Sequence, residues 1–107
     1  MRLTLLLERG LFRVYVLWMC NKEALSGDDF INLEMQHGHE LSAGRLYPVL
    51  AELAAAGYLR MEERNEHGKV HKYYRTTEEG LSKLSAIKSD MGLPMKQFLT
   101  EWLGQAS

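Results

Sequence analysis

Cysteine occurs once in this chain, at Cys20, so no internal disulfide can form and a disulfide-stapled scaffold is excluded. A single thiol fits a reducing compartment, and at the end of an apolar segment Cys20 is expected to be a buried small side chain rather than a redox switch. With one Cys and 4 scattered His, a zinc framework is lacking too. Charge of one sign is not in excess: the formal net charge is −1, so any attraction to a polyanion must come from a local patch rather than from the whole molecule. Long hydrophobic runs are missing. Leu3–Leu7 is stopped by Glu8 and Arg9, short of the about 7–15 apolar residues of a secretory signal. Val14–Cys20 is far short of the roughly 20 that span a bilayer. The expectation is a cytoplasmic protein with no membrane role. No nucleophile–base pair, glycine-rich phosphate loop or paired-carboxylate motif stands out, which points away from an enzyme and from a cofactor.

What is present is a single domain's worth of chain, 107 residues, without repeats or linkers. From about Leu3 to Cys20 the pattern is helical and apolar round most of its circumference, with Leu6, Leu7, Phe12, Tyr15, Val16, Trp18 and Met19 too many for one stripe. Such a helix is buried on more than one side, which in so small a domain suggests a second chain; Gly10 is a candidate interruption. Ser26 can cap a second helix whose first turn holds Asp28 and Asp29, well placed against the helix dipole, and which breaks at Gly38.

The next segment, "LSAGRLYPVLAELAAAGYL", places Leu46, Val49, Leu50, Leu53 and Ala54 on one helical face, between a Ser42 cap and a Gly57 stop. Gly44 and Pro48 weaken its first half. Proline deletes a hydrogen bond, so an irregular first turn is expected, and Gly44 would let another backbone come close. Arg45 and Tyr47 project from an end already biased toward anions by its free N–H groups. A short capped helix, a turn and a second helix form a helix-turn-helix pattern. After Gly57 the period changes to two. Leu59 and Met61 fall on one side and Tyr58, Arg60 and Glu62 on the other; later Val70, Tyr74 and Thr76 share one face and His71, Tyr73 and Arg75 the opposite one. Asn65–Gly68 supplies turn residues, with Gly68 at positive φ. The predicted fold class is mainly α with a small β-hairpin (α+β): a winged helix-turn-helix over residues 1–78, then a C-terminal helical dimerisation segment over 79–107.

The returning strand carries Lys69, Lys72 and Arg75 with no acid, whereas the outgoing strand and turn hold Glu62, Glu63 and Glu66. Such asymmetry suits a wing laid along a phosphate backbone; alone it would read as a solvated hairpin. The two motifs together resemble the PadR family of bacterial transcriptional regulators. One is the small-residue start followed by Leu46-Tyr47, Leu50, Leu53 and Gly57. The other is the wing's Gly68, Lys72-Tyr73-Tyr74-Arg75 and Thr77-Glu78-Glu79-Gly80. The similarity spans about residues 10 to 85. It departs from the family where Lys69-Val70-His71 stands for a frequent Arg-Pro-Arg, and where Thr76 stands for a usual apolar residue.

The resemblance implies a homodimer on a pseudo-palindromic double-stranded DNA operator, with half-sites roughly 34–36 Å apart, and a repressor released by a small aromatic effector. The groove end of the recognition helix would be Ser42, Gly44, Arg45 and Tyr47. Arg45 reads a guanine edge, or else contacts phosphate or pairs with Glu52 or Glu40. Tyr47 contacts phosphate or packs on the wing. Lys69, His71, Lys72, Tyr73 and Arg75 go to DNA backbone and minor groove, with Tyr74 in the core. His67 and His71 flank the wing turn, and imidazoles that charge in mild acid would strengthen binding to a polyanion.

At the C-terminus, Thr76 with Glu79 forms a capping box or Thr77 is the cap. Leu81, Leu84 and Met91 mark the helix's apolar side, and Gly92-Leu93-Pro94 breaks it. Met95, Phe98, Leu99, Trp102 and Leu103 then repeat at helical spacing, a stripe that packs within the chain or, with the first helix, across a two-fold axis. Trp18, Met19, Met95, Phe98, Leu99 and Trp102 line that dimer interface as plain core or as an effector pocket. His37, His39 and Glu40 could hold a metal but lack a fourth ligand, so no metal site is expected. The alternative function is a winged-helix protein-interaction module without operator binding.

Overall fold

The computed structural model describes residues 1–105; the last two residues of the 79–107 segment lie outside the described residues. Among the described residues, five helices and three strands run in the order α1 (Leu3–Lys22), β1 (Leu25–Ser26), α2 (Gly27–Gln36), α3 (Ala43–Ala55), β2 (Leu59–Glu66), β3 (Lys69–Thr76), α4 (Glu78–Asp90) and α5 (Gly92–Gly104). The fold is a winged helix followed by two further helices. α1 passes through Gly10 unbroken, so the interruption expected there does not occur: one glycine inside a long helix costs only about 1 kcal/mol.

The core is built by α1, α2, α3 and the root of the sheet. Val16, Leu17 and Cys20 from α1 meet Phe30 from α2 and Leu46, Val49, Leu50 and Leu53 from α3, closed by Leu25, Leu59 and Tyr74. Only the C-terminal half of α1 is buried this way; Leu3, Leu6, Leu7 and Leu11 are exposed. Ser26 caps α2 through a full capping box: its hydroxyl accepts from Asp29 N–H at 3.0 Å, and the Asp29 carboxylate accepts from Ser26 N–H at 3.1 Å. At the other end of α3, Gly57 takes φ +83°. Tyr58 N–H reaches back to Leu53 C=O at 2.9 Å and Gly57 N–H to Ala54 C=O at 3.0 Å, a Schellman closure that only a residue tolerant of positive φ allows cheaply.

The sheet has the order β1-β3-β2, all antiparallel, so the hairpin carries a third strand that periodicity did not reveal. β1 is two residues long, too short to show alternation, and pairs Leu25 with Tyr74 and Ser26 with Tyr73. The hairpin is also longer than expected. Asn65 and Glu66 are in the ladder opposite Val70 and Lys69, and the turn is His67-Gly68 alone, both at positive φ. That is the two-residue turn whose twist matches the strands. Thr77 caps α4, accepting from Gly80 N–H at 3.1 Å, which resolves the choice between the two threonines. Thr76 is instead buried and donates to Leu17 C=O at 2.6 Å, which explains how a hydroxyl sits where an apolar side chain is usual. α4 lies on α1 with Leu84 against the core, and the chain turns at Gly92 (φ +67°), the first residue of α5.

Candidate nucleic-acid interface

α3 buries one face and so presents the other. With Leu46, Val49, Leu50 and Leu53 turned inward, Ser42, Gly44, Arg45 and Tyr47 are all exposed. Ser42 caps the helix, its hydroxyl accepting from Arg45 N–H at 3.2 Å. A side chain added at Gly44 would meet nothing within 4 Å, so no backbone of this chain approaches it as expected; the space beside it is open. Pro48 is accommodated inside α3 as a continuous helix. Arg45 is the only Lys or Arg in α3. It pairs with neither Glu52 nor Glu40. Its guanidinium forms an ion pair with Glu8 Oε1 on α1 at 2.7 Å and lies 4.5 Å from the Phe12 ring centre. Glu52 is taken by Arg13, whose guanidinium holds the carboxyl below its ordinary value. Neither Glu8 nor Phe12 is suggested by sequence as a partner of Arg45, because α1 and α3 are joined only by folding.

Tyr47 rests its ring against Gly27, where a side chain would come within 2.5 Å of it. Burial first, and then the nearby Asp28 carboxylate, raise the Tyr47 hydroxyl above its ordinary value. The acidity of the second helix is therefore largely committed to structure: Asp29 is in the capping box, Asp28 sits by Tyr47, and Glu34 is buried. Glu34 accepts from the Tyr15 hydroxyl at 2.5 Å and lies 3.3 Å from His39 Nδ1. His39 Nδ1 thus faces Glu34, and among the described residues no three His, Cys, Asp or Glu side chains are grouped.

The hairpin divides its candidates between two faces. Lys69, His71, Tyr73 and Arg75 lie on one; Lys72 lies on the other, opposite Glu63. The Tyr73 hydroxyl donates to Glu66 at 3.2 Å, which raises its proton affinity, and Arg64 lies over the Tyr73 ring at 4.2 Å. Arg60 and Arg64 thus share the outward face, although in sequence they sit within an acidic strand.

The remaining candidates do not assemble within one chain. Trp18 stacks with Tyr15 and carries the Lys22 ammonium 3.6 Å from its ring centre. It edges an open groove of about 580 Å³ lined by Leu11, Val14, Leu84, Ile87 and Met91, with no α5 residue among its walls. Met19 packs half-buried on the core. Met95, Phe98, Leu99 and Trp102 lie on α5, none of whose residues is buried; Phe98 and Trp102 stack at 5.7 Å. No helix among the described residues is long and apolar enough to cross a membrane.

Comparison with known proteins bears on this architecture. The sequence model of the family described as "Transcriptional regulator PadR-like family" matches residues 28–86, from α2 through the wing into α4. A transcriptional regulator of Mycobacterium tuberculosis is 31% identical over 78 residues, 73% of each chain. The crystal structure of a PadR family transcriptional regulator from Eggerthella lenta superposes with a TM-score of 0.74 at 30% identity, covering 96% of this chain and 90% of that one. A PadR-like transcription factor from Bacteroides fragilis has the same fold, with a TM-score of 0.75 at 22% identity and 96% of both chains covered. With more than half its length matched by the family model and its whole winged helix shared with these structures, this chain belongs to the PadR-like family of transcriptional regulators.

Proposed function

We propose that this chain is a sequence-specific DNA-binding regulator, a repressor that acts as a homodimer on a pseudo-palindromic operator. The observation that carries the reading is the N-terminal end of α3: a Ser42-capped helix end with open space at Gly44 and a single cation, Arg45, held by side chains that a nucleic acid can replace. In this reading Ser42, Gly44, Arg45 and Tyr47 enter the major groove. Lys69, His71, Tyr73 and Arg75 hold the flanking backbone from one face of the wing, and Lys72 reaches it from the other. Residues 1–78 form the DNA-binding unit and the segment from 79 onward the dimerisation unit.

Support for the dimer is apolar surface that the chain does not cover. Leu3, Leu6, Leu7 and Leu11 on α1 and Leu93, Met95, Phe98, Trp102 and Leu103 on α5 are all exposed, far more than scattered surface residues account for. A C2 pairing of α1 with the partner's α5 buries both sets. It also carries Trp18 and Met19 toward the partner's Trp102, where a small aromatic effector is the candidate inducer. The test is selection from a fragmented genomic DNA pool by the purified protein. Enrichment of a pseudo-palindrome with half-sites roughly 34–36 Å apart is expected. Absence of any enriched duplex, with salt-insensitive capture of a protein partner, would favour the interaction-module reading instead.

A further inference from the structure

The hairpin's charge is asymmetric along the sequence, but the folded register sorts it by face. Leu59 opposite Thr76 and Met61 opposite Tyr74 define the inner face, because Leu59, Thr76 and Tyr74 are all buried in the core. Residues directly opposite in an antiparallel pair project from the same side. The outer face therefore pairs Arg60 with Arg75, Glu62 with Tyr73, Arg64 with His71, and Glu66 with Lys69. Arg60, Arg64, Lys69 and Arg75 stand there against two carboxylates. The inner face beyond the core is balanced: Glu63 opposes Lys72 and Asn65 opposes Val70. All the net positive charge of the hairpin thus lies on one side, and two of the four cations on that side come from the strand that reads as acidic.

We infer that this outer face is a DNA phosphate-contact surface in which Arg60 and Arg64 of β2 act beside Lys69 and Arg75 of β3. The inference rests on the DNA-binding reading above and extends it to residues outside the wing's basic run. Three observations carry it. First, the outer carboxylates leave the arginines in excess: Glu66 accepts from the Tyr73 hydroxyl at 3.2 Å, and the one carboxylate of Glu62 faces two guanidiniums, Arg60 at 3.1 Å and Arg64 at 3.8 Å, so that trio stays net positive. Second, Arg60 and Arg75 are exposed cations placed directly opposite each other, an arrangement unfavourable by itself that an anion between them relieves. Third, Arg64 is held in place by the Tyr73 ring, so a contact made by its planar fork loses less side-chain freedom. From Arg60 to Arg64 is about 13 Å of strand. A duplex carries a phosphate about every 3.4 Å of axis on each strand, so this row meets more than one.

The test measures binding of the full chain to a selected duplex and to an unrelated one across a range of salt, for Arg60→Ala, Arg64→Ala and the pair together. A Lys83→Ala variant removes one charge from α4 as a control. Each single arginine change is expected to flatten the plot of log affinity against log salt by about 0.9, and the pair by about 1.8. Both duplexes should weaken alike, because phosphate contacts carry no sequence information. Lys83→Ala should leave the slope at its wild-type value. Circular dichroism checks folding, and the corresponding glutamine pair substitutes if the alanine pair is unfolded. A folded pair variant with the wild-type slope overturns this inference while leaving the DNA-binding reading intact. A wild-type protein that binds neither duplex overturns both.

Discussion

Two tightly held protons, one on the half-buried Tyr15 and one on the buried Cys20, set how this molecule should respond to alkali. Tyr15 on α1 gives its hydroxyl to Glu34, and that bond, then burial, then the charge of Glu34 raise it from 10.0 to about 12. Burial alone raises the Cys20 thiol from 9.0 to about 12. The folded protein therefore keeps both protons at a pH where the unfolded chain has lost them, so stability falls as pH rises. Thermal unfolding followed from pH 8 upward should show a melting temperature that declines between about pH 9 and about pH 12, and less so in a Tyr15→Phe/Cys20→Ala variant. A flat profile would contradict it. Arg45 offers a second residue-scale prediction. Its contact with Glu8 must be given up when Arg45 meets DNA, and an exposed ion pair is worth about 0.2–1 kcal/mol. Glu8→Gln should tighten DNA binding by roughly 1.4- to 5-fold, read by titration against labelled duplex; weaker binding would mean that Glu8 positions Arg45 rather than withholding it.

At the scale of elements, the caps and close approaches fix where each piece stops and how the next one docks. Thr77 joins two of them: its hydroxyl accepts from Gly80 N–H and donates to Gly57 C=O at 2.6 Å, tying the start of α4 to the end of α3. Thr77→Ala should cost about 1–2 kcal/mol in urea unfolding. Gly80→Ala should cost more than Thr77→Ala does, since an added methyl would collide with the Tyr58 carbonyl oxygen, which is backbone and cannot swing away. These elements were readable in the sequence because local chemistry writes them. Ser26, Ser42 and Gly57 mark ends, and the change of period after Gly57 marks the hairpin. β1 was not readable, since two residues carry no period. Nor was the true reach of the strands. Taking Asn65 as a turn residue hid the His67-Gly68 turn that fixes the register, and with it the placement of Arg60 and Arg64 beside Arg75. The Glu8–Arg45 contact joins residues far apart in sequence, and no pattern within either helix encodes it.

The whole molecule is extended for its length. Its radius of gyration is 15.7 Å and its extents are 51 × 31 × 27 Å, where a compact chain of this size would have about 13 Å. The excess follows from the N-terminal half of α1 and all of α5 standing apart from the core. A 13-residue helix with no buried residue is marginal in isolation, which supports the proposed pairing of α5 across a dimer. Sedimentation equilibrium should give twice the 12.3 kDa of one chain. Phe98→Glu/Trp102→Glu should give the monomer with reduced helicity; a wild-type monomer would contradict the paired arrangement. The central claim, that the free end of α3 meets DNA, is tested most directly by fluorescence anisotropy of the protein's own upstream DNA at about 50 and about 200 mM salt, with wild-type and Arg45→Ala protein side by side. Wild-type binding should fall steeply with salt and be lost on replacing Arg45. Binding that Arg45→Ala leaves unchanged would contradict it.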